Sequence, residues 1–361
     1  MPETAIQSAP NHPEAPRQSL VGRLFGSSLT APVLALLALL AVNLVVHPDF
    51  LSVRMQDGDL YGNVIDILRN AAPVLLIGLG MTLVIATRGI DLSVGAIAAI
   101  AGAVACVYIA GAPHESALST AVMAIALALA TCVALGLWNG FLVAVVGIQP
   151  IIATLVLMTA GRGIAMLITD AQITTVHNSH FEFLSSGFVF ALPFAILLAL
   201  ALFALTGLVA RRTALGMLIE AVGINPEASR LAGVRARTIL WTVYVFSGLC
   251  AGLAGLMISA NTSAADANNN GLWIELDAIL AVVIGGTSLA GGRFSLTGTL
   301  VGALFIQTLK TTINVIGIPS EMNYLFKAIA VVAVFVLQSP RARALLSLRR
   351  RGQLEPKAVT G

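Results

Sequence analysis

The chain has 361 residues, of which 58% are hydrophobic and only 10% charged, against about a quarter charged in an ordinary soluble domain. So few charges cannot cover a water-facing surface, and a net charge of +3 supplies no basic field for a nucleic acid. An ordinary soluble enzyme and a nucleic-acid binder are both excluded; the expected class is an all-α, polytopic integral membrane protein.

Residues 1–28 are polar and rich in Pro and Ala and are predicted to form a disordered cytoplasmic tail. A cleaved signal peptide is the competing reading, because Arg17 and Arg23 precede an apolar run. It is disfavoured because the tail is long and the run from Leu29 to Val46 is long enough to span.

A spanning helix needs about 20 mainly apolar residues. Ten candidates follow in order: 29–46, 64–86, 94–111, 118–146, 150–169, 189–209, 239–260, 275–290, 295–316 and 323–338. The run 118–146 is too long for one straight crossing and must tilt or extend beyond the lipid. The eighth and tenth are short, and Gly285 and Gly286 interrupt the eighth. Short, glycine-broken spans are where a translocation path often lies. Together 29–338 form one transmembrane domain, followed by a basic cytoplasmic tail, 339–361.

Cytoplasmic loops are enriched in Lys and Arg. With the N-terminus inside, the inner segments hold Arg88, then Arg211, Arg212, Arg230, Arg235 and Arg237, then Arg293 and the tail from Arg341 to Lys357. The outer loops hold Arg54 as their one basic residue, beside Asp49, Asp57, Asp59, Glu115, Asp170, Glu182, Asp266 and Glu321. Both termini are therefore expected in the cytoplasm.

The largest inner loop, 210–238, carries a local helix signal. Asn225 is a strong N-cap, Pro226 suits the first helical position, Glu227 faces the positive end of the helix dipole, and Gly233 can close a left-handed cap. The predicted helix, Pro226–Ala232, is too short to be stable alone. It either docks on a partner or is a solvated surface turn.

The spacing of Glu220, Ala221, Gly223, Asn225, Ala228 and Gly233 resembles the coupling-loop motif of ABC importer permeases. Thr87–Gly95, Glu275–Ile279 and Val283–Gly292 resemble the ribose/xylose/galactose branch of that superfamily, and the likeness runs from about residue 60 to 340. Ala265–Trp273 is similar to the galactofuranose branch. The resemblance implies about ten spans, a channel shared with a second permease subunit (identical or different), a cytoplasmic ATP-binding subunit and a periplasmic sugar-binding protein. It implies a monosaccharide cargo crossing the bacterial inner membrane: galactofuranose first, otherwise ribose, xylose or galactose. The six loop residues would couple to the ATPase.

No Gly-Lys dipeptide occurs, so there is no P-loop; no cofactor is expected in this chain, and ATP and Mg belong to the partner. Nor is there an HExxH, GxSxG or paired-carboxylate motif. The five histidines lie outside the apolar runs, and His177 and His180 share only a loop. Cys106, Cys132 and Cys250 show no metal or disulfide spacing.

Polar residues within spans are functional candidates by default: Arg69, Asn70, Asn139, Arg162, Gln307, Lys310 and Asn314. Gln307, Lys310 and Asn314 share one helical face. Arg69, Lys310 and Lys327 have the alternative of snorkelling to the interface. Asn70, Asn139 and Asn314 are expected to line a polar path, because a neutral sugar is met by amides and hydroxyls rather than by buried charge. An ion-coupled secondary transporter is the alternative function. It would place a carboxylate in mid-membrane, and Asp66, Asp91 and Asp277 stand near span ends, which argues against it. A membrane-bound enzyme would need a catalytic constellation, and none is present.

Overall fold

The computed structural model describes residues 29–317 together with 319, 322, 325–329 and 332. The expected tails, 1–28 and 339–361, lie outside the described residues, as does most of the tenth expected span, 323–338. The other nine expected spans each fall on a helix. These are α1 (Thr30–Val46), α2 (Asn63–Ala86), α3 (Val94–Ala110), α4 (Leu118–Phe141), α5 (Pro150–Ile168), α7 (Phe194–Arg212), α10 (Ala236–Thr262), α11 (Ile274–Ile284) and α12 (Leu296–Val315). Between them stand three short helices: α6 (Ser179–Ser186), α8 (Ala214–Ile224) and α9 (Pro226–Leu231). Five helices, α2, α4 with its extension, α5, α7 and α10, are long and apolar enough to cross a membrane.

The core forms around α2 and α10. Leu75, Leu76, Ile77, Leu79 and Met81 of α2 are fully buried, and α10 packs against α2, α3 and α4. Lipid tails are as apolar as Leu, so helices associate by close packing, which small residues permit. Gly248 of α10 is such a contact: a Cβ there would meet the Cys132 carbonyl oxygen of α4 at 2.6 Å and the Gly136 Cα at 3.0 Å. At the opposite side of the bundle Gly298 of α12 lies against the Gly285 backbone, at the end of α11.

The over-long run 118–146 breaks at its end. A π-turn, Leu142–Val146, follows α4 and ends on left-handed Gly147. The short eighth span is a half-helix: α11 has 11 residues, about 16 Å at 1.5 Å per residue, roughly half of a ~30 Å hydrocarbon core. The loop before it, 266–273, folds back against α3, with Gly271 beside Gly95 and Ala98.

The all-α expectation needs a small correction. Three two-stranded antiparallel ribbons occur among the described residues. β1 (Arg54–Gln56) pairs with β2 (Asp59–Tyr61), β3 (Thr174–Thr175) with β6 (Ala264–Ala265), and β4 (Phe188–Val189) with β5 (Leu192–Pro193). All lie at the end of the bundle remote from α8 and α9. They arise where polar loops must satisfy their own backbone groups.

Asp91 stands between the end of α2 and the start of α3, as expected, yet it is fully buried, and its carboxylate accepts from Ser247 in the interior of α10 at 2.8 Å. The chain between α2 and α3 turns inward rather than staying at the surface.

Candidate functional site

A cavity of about 640 Å³ opens at the end of the bundle formed by the start of α2, the end of α10, the start of α11 and the second half of α12. Its wall carries Arg69, Asn70, Gln307, Lys310 and Asn314 from the expected set, with Asn261, Asn269 and Asn270 besides. Pro73, also in the wall, lies within α2 and withholds one helical hydrogen bond there. The Asn70 amide donates back to the Asp66 carbonyl at 2.9 Å, so its oxygen remains available. Asn314 is exposed to the cavity.

Charge in this wall is largely paired. Arg69 lies 3.6 Å from Asp66, one helical turn away. Lys327 donates to both Asp277 oxygens, at 2.6 and 2.9 Å. Lys327 is therefore paired, whereas Lys310 has no ion-pair partner among the described residues. Amides supply both a donor and an acceptor, which suits the alternating demands of a polyol.

Two other candidates lie elsewhere. Asn139 does not line the cavity; it is fully buried on the face of α4 turned to the core, and its amide donates to Ser93 Oγ at 2.8 Å. Arg162 of α5 donates to the Ala267 and Asn270 carbonyls at 3.0 and 2.7 Å, so it holds the loop that supplies Asn269 and Asn270 to the wall. Those residues and Asn261 escaped the sequence reading because an outer loop and a helix end look polar whether or not they meet across a cavity. Glu275, 2% exposed, was legible only as part of a motif.

At the opposite end of the bundle stands an arm made of α8 and α9. Asn225 Oδ1 accepts from the Glu227 and Ala228 amides at 3.1 and 3.0 Å, and Gly233 follows with φ +86°, as the local signals require. Arg230 forks onto Glu227 and holds that carboxyl below its ordinary range by hydrogen bonding and by charge. Glu220 borders a smaller cavity of about 270 Å³ with Arg211, Met217 and Phe294. Ala228 is exposed.

The arm is seated on the core. Ile219, Val222 and Gly223 are buried, and a Cβ on Gly223 would overlap the Ala86 carbonyl oxygen and press on the Gly292 nitrogen. The other side of the arm is open: Met217, Ile224 and Leu231 are 66%, 62% and 77% exposed. Three large apolar side chains seven residues apart, outside the bundle and beside basic residues, form a surface suited to burial by another protein.

Residues 63–335 match the family described as branched-chain amino acid transport system / permease component. The chain is 51% identical over 315 residues to the galactofuranose transporter permease protein of Escherichia coli (strain K12), covering 87% of this chain and 90% of the relative. It is 39% identical over 352 residues to the fructose import permease protein of Bifidobacterium longum (strain NCC 2705), covering 96% and 97%. It is 37% identical over 303 residues to a ribose import permease protein of Haemophilus influenzae, covering 83% and 89%. No solved structure matches.

Proposed function

This chain belongs to the branched-chain amino acid transport system / permease component family, and from that premise we propose how it works as the permease subunit of a sugar ABC importer in the bacterial inner membrane. It forms a multi-pass sugar path, with the ten-span topology and both termini in the cytoplasm. The cargo is a monosaccharide, galactofuranose in the first instance. Cargo enters the cavity lined by Asn70, Gln307 and Asn314. A separate subunit binds ATP and Mg and docks on the arm through Glu220, Ala221, Asn225 and Ala228, with Gly223 seating the arm on the bundle and Gly233 closing its helix. A second permease subunit completes the channel, and a periplasmic sugar-binding protein delivers the cargo.

One observation carries this reading: an amide-lined cavity and an exposed apolar arm stand at opposite ends of one helix bundle. α10, which runs between those ends, has 27 residues, about 40 Å and enough to cross a membrane. A neutral polyol needs many donors and acceptors, and with Asp66 and Asp277 each held in an ion pair the wall's amides supply most of them, Lys310 being its one cation without an ion-pair partner among the described residues.

The test is co-reconstitution in liposomes with the ATP-binding subunit and periplasmic binding protein of a sugar importer. Uphill uptake of galactose (whose equilibrium mixture includes the furanose form), ribose, xylose or fructose should require all components and ATP. Uptake driven by an ion gradient without the ATPase would replace the ABC reading with a secondary transporter.

A further inference from the structure

We infer that Arg88 is a positioning residue that carries movement of the α8–α9 arm to Asp91, and so to the middle of the membrane. The inference rests on the coupling role proposed above for the arm.

Helix α2 ends in a tight closing turn. The Gly89 amide donates to the Val84 carbonyl at 3.0 Å and the Arg88 amide to Ile85 at 2.9 Å. That pattern needs one left-handed residue, normally Gly. Here the residue is Arg88, with φ +66°. A side chain held in that region needs surroundings that over-determine it, and Arg88 has them. Its Nε donates to the Ala290 carbonyl at 3.1 Å and its Nη2 to the carbonyl of Ile224, the last residue of α8. Beside it the Gly292 amide donates to the Ala86 carbonyl at 2.9 Å. One guanidinium thus clamps the end of α2, the turn after α11 and the root of the arm.

From Arg88 the chain runs inward to Asp91, a reach of at most about 10 Å for three residues. Asp91 accepts from the Ser93 amide and hydroxyl at 3.1 and 2.6 Å and from Ser247 of α10 at 2.8 Å. Ser93 in turn accepts from Asn139 of α4, and the Leu92 amide donates to Thr154 of α5 at 3.1 Å. The inner end is therefore fastened to three helices by buried polar contacts, which are costly to leave unmade. A short segment fixed at both ends transmits displacement instead of absorbing it.

Arg88→Gly separates this role from a structural one. Glycine adopts the left-handed turn more readily than arginine, so the turn survives while both side-chain bonds go. In the complete importer, reconstituted with its ATPase and binding protein, Arg88→Gly should keep wild-type assembly, thermal midpoint and ATP turnover. Uptake per ATP, read with the sugar that the wild-type complex accumulates, should fall about 2- to 30-fold, the range for coupling carried by contact networks. Arg88→Lys, which reaches one carbonyl, should fall between. Ser247→Ala should lower the same ratio from the inner end. Wild-type uptake per ATP in Arg88→Gly overturns the inference, and so does loss of ATPase binding, which would place Arg88 in the partner interface. Leu231→Asp, measured in parallel, tests the premise alone: if it neither releases the ATPase nor alters uptake, the arm is not the coupling element.

Discussion

Lys327 reaches across 50 residues of sequence to donate to both carboxylate oxygens of Asp277, and both side chains are largely buried, at 13% and 15% exposure. Removing one partner of a buried pair costs up to about 3–5 kcal/mol; here the cost should be smaller, because Asp277 borders an open, polar cavity. Lys327→Met should lower the thermal midpoint in detergent, and Asp277→Asn combined with Lys327→Met should recover part of the loss. A double variant as unstable as the sum of the singles would show that the two do not interact.

Asn314 and Asn139 should separate cleanly. Asn314→Leu removes a cavity-facing amide. Losing one or two hydrogen bonds to cargo, at about 0.5–1.5 kcal/mol each, should cut uptake roughly 2- to 150-fold at unchanged thermal stability. Asn139→Leu leaves the buried Ser93 hydroxyl without that donor, at about 1–3 kcal/mol, so folded protein should decline first. Normal uptake by Asn314→Leu at low sugar concentration would remove this residue from the path.

On the arm, exposed and buried faces should respond differently. Leu231→Asp, on the exposed side, should weaken capture of the ATPase without shifting the thermal midpoint. Gly223→Ala drives a methyl into the Ala86 carbonyl and should destabilise the arm's seat, lowering assembly and stability together. Asn225→Ala should cost about 0.5–2 kcal/mol of local helix stability and reduce uptake mildly. Co-purification, melting and uptake on the same membranes distinguish the three.

The Glu227–Arg230 pair is exposed, and Arg230 holds the Glu227 carboxyl below the ordinary carboxylate range by hydrogen bonding and by charge. A depressed carboxylate contributes its stability above the unfolded pKa and loses it as pH falls through the lower folded value. Uptake should therefore be insensitive to this pair between about pH 6 and 8, and Arg230→Gln should leave the pH profile there unchanged. A new acid limb near neutrality in that variant would give the pair a functional role.

The sequence by itself determined the membrane class, the order of the first nine spans and the capped helix at Asn225 and Pro226. Each rests on a quantity local to the chain: the apolar length needed to span lipid, or a side chain bonding an amide two or three residues away. The tertiary structure alone decided the rest. Asp277 meets Lys327, Arg88 meets the Ile224 carbonyl, and Asp91 meets Ser247 across 50, 136 and 156 residues. Those meetings depend on which helix faces pack together, and hydropathy does not encode that choice where every face is apolar. The same reason hid Asp91: a carboxylate beside a Gly/Arg turn reads as a span end, and only the fold shows the chain turning inward to bury it.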